Sequence, residues 1–171
     1  MLHIYYGNGK GKTTAAVGLT LRASGSGMKT AFLQFLKNGS SSEISILESL
    51  KDCFVLCCRE CNKFSFQMSD AEKELIKSAH NSMLRRAEEL INKSEAELLV
   101  LDELLDAYNK DLIDTVLTDS FINTYCKKVE IIITGRAPSA EWLDIADYVT
   151  EMNAVKHPYN NGISARRGIE Y

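Results

Sequence analysis

Apolar residues fall along this chain in two rhythms. Short, nearly continuous apolar runs alternate with longer stretches where apolar positions return every three or four residues. The first rhythm suits strands covered on both faces, the second amphipathic helices. Leu2–Tyr6, Thr30–Leu36, Cys53–Cys58, Glu97–Glu103 and Val129–Arg136 read as strands. A helix from Thr13 to about Ala23 places Ala16, Leu19 and Ala23 on one face, and the stretch Ser24–Gly27 ends it, because glycine accepts the left-handed backbone of a helix C-terminus. A long helix begins at Ser69–Asp70, with Glu72 in its first turn, and runs to about Lys93. Its apolar stripe includes Leu75, Ile76, Ala79, Met83, Ala87 and Leu90. Asn38–Ser42 reads as a polar loop able to move, and the residues from Ala146 onward as short strands and turns. Strands alternating with helices, and no repeat or linker, predict one α/β domain over residues 1–171, with βαβ units and a mostly parallel sheet.

Between the first strand and the first helix lies GNGKGKTT, Gly7–Thr14. Gly7, Gly9 and Gly11 let the backbone turn tightly, so that successive N–H groups point at one anion and the helix N-terminus adds its partial positive charge. Asn8, Lys10 and Thr14 belong to the same loop; Lys12 is placed to neutralise phosphate oxygens and the Thr13 hydroxyl to ligate Mg²⁺. The spacing departs from the usual G-x-x-x-x-G-K-[ST], since Tyr6 stands where the first glycine belongs. A functionless glycine turn is the alternative. The strand ending in Asp102 and Glu103 delivers two carboxylates at its carboxyl end, the edge where open α/β sheets bind ligands. Either can serve a metal; the alternative for Asp102 is a cap on the next helix. Arg136, at the end of another strand, reads equally as a phosphate or ribose contact and as an ordinary surface arginine. Loop and carboxylates together predict a three-layer αβα P-loop NTPase fold.

Composition narrows the partners. The 171 residues are 45% hydrophobic and 25% charged, with a net charge of −3. This balance excludes a broad nucleic-acid-binding face, which needs excess positive charge, but leaves room for a local basic site. No apolar run approaches the ~20 residues of a membrane helix, and the N-terminus does not resemble a signal peptide, so a cytoplasmic location is expected. Five cysteines then default to free thiols. Cys53, Cys57, Cys58 and Cys61 hold enough sulfur for a Zn²⁺ or Fe–S site, yet strand alternation sends Cys58 away from Cys53 and Cys57. Free thiols are the expectation, with a metal site as the alternative. His3, His80 and His157 have no ligand spacing; His80 is expected at a surface or interface and His157 in a structural role.

The segments GNGKGKTTAA, Gln34-Phe35, LDEL, ITGR, ADYVTEM and the tail VKHPYNNGISARRGIEY occur in this order. Together they resemble the P-loop type of ATP:corrinoid adenosyltransferase, over nearly the whole chain. The resemblance implies that Co(I) of a corrinoid attacks the 5′ carbon of ATP and expels triphosphate, in adenosylcobalamin biosynthesis or salvage. It implies ATP on Gly7–Thr14 and Arg136, and Mg²⁺ (with Mn²⁺ as a substitute) on Thr13 and Glu103, with Asp102 behind them. It further implies an aromatic pair that crowds the lower corrin face; Phe64 and Phe66 match it and join Lys12 as catalytic residues. Buried core packing is the alternative for both rings. Family members often carry an N-terminal extension over the site; this sequence opens on its first strand, and Asn38–Ser42 is one candidate for that cover. Expected partners are an electron-donor protein such as a flavodoxin and a second copy in a homodimer. A P-loop kinase or NTP hydrolase, with Glu103 activating a hydroxyl or water, and a non-catalytic carrier are the competing functions.

Overall fold

The computed structural model describes residues 1–63 and 65–171. The order of elements is β1 (Leu2–Tyr6), α1 (Lys12–Gly25), β2 (Thr30–Gln34), α2 (Ser42–Ser49), β3 (Cys53–Cys57) and α3 (Asp70–Asn92). There follow β4 (Leu98–Asp102), α4 (Leu104–Asn109), α5 (Thr115–Tyr125), β5 (Glu130–Gly135), α6 (Ala140–Ile145) and β6 (Tyr148–Glu151). Among the described residues the six strands form one sheet, in the order β3-β2-β4-β5-β1-β6. Every pair is parallel, so the sheet is fully rather than mostly parallel. All strand carboxyl ends therefore share one edge, the edge reached by Tyr6, Gln34, Asp102 and Gly135.

Alternation along the strands makes the layers. Phe32, Leu98, Val100 and Ile132 join Ala16 of α1 and Leu47 of α2 in one apolar cluster. Their sequence neighbours Leu33, Leu99, Leu101, Ile131 and Ile133 join α3, α5 and Trp142 of α6 in a larger one. Successive side chains of a strand point to opposite faces, so unbroken apolar runs are what a sheet with helices on both sides requires.

The helices were less evident in the sequence than the strands. α3 starts where the pattern predicts: Ser69 Oγ accepts from Glu72 N at 3.3 Å, and Ser69 N donates to Glu72 Oε2 at 2.8 Å. These reciprocal bonds satisfy donors that a helix start otherwise leaves open. The stripe needs correction, because Leu75 is 59% exposed while His80 is fully buried. His80 is thus a core residue of α3 and not a surface one. The loop expected at Asn38–Ser42 gives way to α2 at Ser42. α5 and α6 are capped by Asp114, which accepts from Leu117 N, and Ser139, which accepts from Trp142 N. No helix among the described residues is long and apolar enough to cross a membrane.

Ser69→Ala removes one half of the reciprocal cap. It is expected to lower stability by about 1 kcal/mol, read as a lower urea midpoint with an unchanged slope.

Candidate functional site

The loop after β1 is held from behind by the strand-end segment that follows β6. Gly9 N donates to Met152 O at 2.6 Å, Met152 N donates to Tyr6 O at 2.7 Å, and Gly7 N donates to Arg136 O at 3.2 Å. A Cβ on Gly9 would lie 2.6 Å from Met152 O and 2.8 Å from its carbonyl carbon, so only glycine fits there. Gly11 sits at φ 113 and opens α1 with no side-chain cap and no acidic residue in the first turn. Its bare N–H groups and the helix dipole leave an anion-binding terminus. Lys12 Nζ donates to Gly9 O at 2.7 Å. Burial lowers the Lys12 pKa, helped by the nearby Arg136 charge, while Asp106, Glu103 and Asp102 oppose the shift.

Asp102 organises the opposite side of the site. Its side chain is completely buried at the carboxyl end of β4. Oδ1 accepts from Thr13 Oγ1 at 2.8 Å and from Thr134 Oγ1 at 2.7 Å; Oδ2 accepts from Gln34 Nε2 at 3.2 Å. Lys37 Nζ lies 3.7 Å from Asp102 Oδ2 and 3.4 Å from Glu103 Oε1. Asp102 does not cap α4, whose N-cap position is Glu103. Glu103 has φ 62 and Leu36 φ 57, a left-handed backbone that costs non-glycine residues about 1–2 kcal/mol. Each lies just beyond a strand end, and the ammonium of Lys37, the residue after Leu36, meets the Glu103 carboxylate. Burial raises the Glu103 pKa, and Asp102 and Asp106 add to the rise that Lys37 opposes. For Lys37 burial pulls downward, but Asp102, Glu103 and Glu43 outweigh it and its pKa is raised.

A cleft of ≈ 420 Å³ opens at this edge. Lys12, Thr13, Lys37, Glu103 and Arg136 line its nucleotide-loop side, and Lys63, Ser65, Phe66 and Met68 its far wall. Lys37, Lys63 and Lys110 are cationic members that motif reading missed. Lys37 had the better signal, two residues past Phe35 at a strand end. Arg136 is 78% exposed and 4.0 Å from Asp106. Phe66 is 82% exposed on the cleft wall, which rules out core packing for it; Phe64 lies outside the described residues. Lys10 and Thr14 lie instead in an adjoining hollow with Gly168–Tyr171, and Thr13 borders both spaces. Asn8 is tied to the tail, its Oδ1 accepting from Ala154 N at 3.0 Å.

The donors at the cleft suit a hard cation. Thr13, Asp102 and Glu103 offer oxygen only, the ligand type Mg²⁺ takes, and the Lys37 ammonium already finds the paired carboxylates a cation site. Among the described residues, Gln34 Oε1 is buried without a hydrogen-bond partner beside the same carboxylates. The cysteines divide as strand alternation predicts. Cys53 and Cys57 pack toward the smaller apolar cluster, whereas Cys58 and Cys61 are buried in the larger one. The hydrogen bond from Cys61 holds the Cys58 thiol below the ordinary thiol range.

The family model described as ATP:corrinoid adenosyltransferase BtuR/CobO/CobP matches residues 1–171. A corrinoid adenosyltransferase of Pseudomonas aeruginosa is 31% identical over 175 residues, covering 100% of this chain and 83% of that protein. The corrinoid adenosyltransferase of Escherichia coli K12 is 31% identical over 169 residues, with 98% and 84% covered. A protein of Salmonella typhimurium, corrinoid adenosyltransferase CobA, gives the same identity and coverage.

Two substitutions and one control test this geometry. Gly9→Ala should weaken MgATP binding at least tenfold by calorimetry, because the clash is with backbone; Gly18→Ala, where nothing lies within 4 Å, should leave binding unchanged. Asp102→Asn replaces an oxygen acceptor by a donor. It should cost about 1–3 kcal/mol in urea denaturation, since two hydroxyls and a lysine converge on that group.

Proposed function

The chain belongs to the ATP:corrinoid adenosyltransferase family, and from that premise we propose how its own residues carry out the transfer. The protein is a transferase that moves the 5′-deoxyadenosyl group of ATP to the Co(I) of a corrinoid. The cobalt–carbon bond forms as the bond from C5′ to the triphosphate oxygen breaks, and the electron pair leaves with the triphosphate. Nothing favours a kinase or a carrier over this reaction.

The triphosphate lies against Gly7–Thr14 and the N-terminus of α1. Lys12, Lys37 and Arg136 offset the charge that grows on the leaving oxygen, the largest electrostatic need of such a displacement. The observation that carries this reading is the meeting of Lys12, Thr13, Lys37 and Glu103 in one cleft faced by Phe66. Mg²⁺, or Mn²⁺ in its place, is held by Thr13 and Glu103, with Asp102 orienting Thr13; bound there it screens the phosphates. Phe66 meets the flat face of the corrin and excludes a lower axial ligand, which eases reduction to Co(I); the same role expected of Phe64 falls outside the described residues. Lys10, Asn8 and Thr14 serve the nucleotide from its outer side. We also assign a cytoplasmic location, a homodimer and reduction by an electron-donor protein such as a flavodoxin. An odd number of cysteines accords with a reducing compartment.

The test is anaerobic turnover of chemically reduced cob(I)alamin with MgATP. A light-sensitive adenosylated corrinoid and intact triphosphate are expected; ADP or phosphate in their place overturns the reading. Lys12→Ala should lower kcat at least 100-fold. Phe66→Ala should slow the reaction from cob(II)alamin plus reductant at least tenfold, while the reaction from prereduced cob(I)alamin changes little. Equal loss in both assays would remove Phe66 from the reduction step.

A further inference from the structure

Behind the cleft wall, three metal-ligating groups that the transfer does not use converge in the core. Cys58 and Cys61 form a C-x-x-C turn just past β3, closed by Cys61 N donating to Cys58 O at 3.0 Å. Their sulfurs are 2.9 Å apart, and Cys61 Sγ is 3.7 Å from His80 Nε2 on α3. The three ligand atoms all lie within 4.8 Å of one another. Cys58, Cys61 and His80 are 1%, 6% and 0% exposed. We propose that Cys58, Cys61 and His80 bind a soft divalent cation, Zn²⁺ in the first place, which braces the loop forming the far wall of the cleft.

The imidazole is set for this role. His80 Nδ1 is 2.7 Å from Leu112 O. A carbonyl only accepts, so the proton sits on Nδ1 and the Nε2 lone pair faces the sulfurs. A histidine whose far nitrogen donates to a backbone carbonyl is the arrangement in which metal-bound histidines are held. The Phe35 ring meets the imidazole edge-on at 5.1 Å and backs it. Leu36 N also approaches Nε2, at a long 3.4 Å, a contact that the metal replaces.

Donor identity and spacing select the ion. Two thiolates and an imidazole suit Zn²⁺ and disfavour Mg²⁺ or Ca²⁺. Around tetrahedral Zn²⁺, sulfur and nitrogen donors stand roughly 3.5–3.8 Å apart. The pair Cys61–His80 already has that separation, and the two sulfurs need to part by less than about 1 Å. Glu60 Oε2 lies 3.8 Å from Cys58 Sγ at the rim, outside the group of three mutually close ligand atoms, and would have to swing inward to become the fourth donor. A disulfide would use only the two sulfurs and leave Nε2 with no more than the long contact from Leu36 N. The consequence for the site is direct: the clamp ties the start of the loop to α3, and that loop delivers Lys63, Ser65, Phe66 and Met68 to the cleft.

The experiment uses corrinoid-free protein, reduced and stripped with a chelator, then loaded with Zn²⁺ or Co²⁺ alone. One Zn²⁺ per chain should survive desalting, and two of the five thiols should become protected from a thiol reagent. The Co²⁺ form should show thiolate-to-metal charge transfer with the intense visible bands of tetrahedral coordination. Cys61→Ser and His80→Gln should weaken Zn²⁺ binding at least tenfold, while Cys53→Ser and Cys126→Ser keep one equivalent. Thiol protection and the Co²⁺ spectrum decide the matter in the unmodified protein should a variant fail to fold. No retained zinc, unprotected thiols, or a Cys58–Cys61 disulfide in the metal-free protein as isolated would overturn the proposal. None of these readouts involves corrinoid or ATP, so they are independent of the assigned reaction.

Discussion

The buried carboxylate of Asp102 is the constraint on which the site depends. A charge with no exposure to water needs partners from several directions, and Asp102 takes them from β2, α1 and β5: Gln34, Thr13 and Thr134, with Lys37 as counter-charge. Its backbone carbonyl also accepts from Phe35 N at 2.9 Å. The group that fixes Thr13 at the head of α1 is therefore the group that holds three neighbouring pieces of the sheet edge in register.

Charge is distributed so that this hub serves an anion. Although the chain as a whole is acidic, Lys12, Lys37, Lys63, Lys110 and Arg136 surround one cleft, and the carboxylates there are either buried or paired. Parallel strands bring this about: all their carboxyl ends lie at one edge, and the residue past each end faces the same space. The left-handed turns at Leu36 and Glu103 mark where local backbone preference yields to that arrangement. The loop Gly7–Gly11 is kept at its post by Met152, at a distance a methyl group would not permit.

The strands were legible because a parallel sheet buried on both faces imposes nearly continuous apolar runs, and Leu98–Leu101 and Ile131–Ile133 are such runs. α3 was legible because Ser69 and Glu72 announce its start. The short helices α2, α4, α5 and α6 were not, since six to eleven residues give too few turns for a periodic stripe. His80 escaped for a related reason. A polar residue among apolar ones reads as surface unless its partners are known, and those partners, Leu112 and Cys61, are remote in sequence.

The sequence by itself determined the phosphate loop, the acidic pair at the carboxyl end of β4, the strands, and through its ordered motifs the family to which the chain belongs. These are local properties, written in contiguous residues. Only the tertiary structure decided that Asp102 is a buried hub, that Lys37 completes the site, that Lys10 and Thr14 lie outside the main cleft, and that His80 joins Cys58 and Cys61. Each depends on which strand lies beside which and on which face a side chain emerges. That information resides in the packing of residues dozens of positions apart, not in any local pattern.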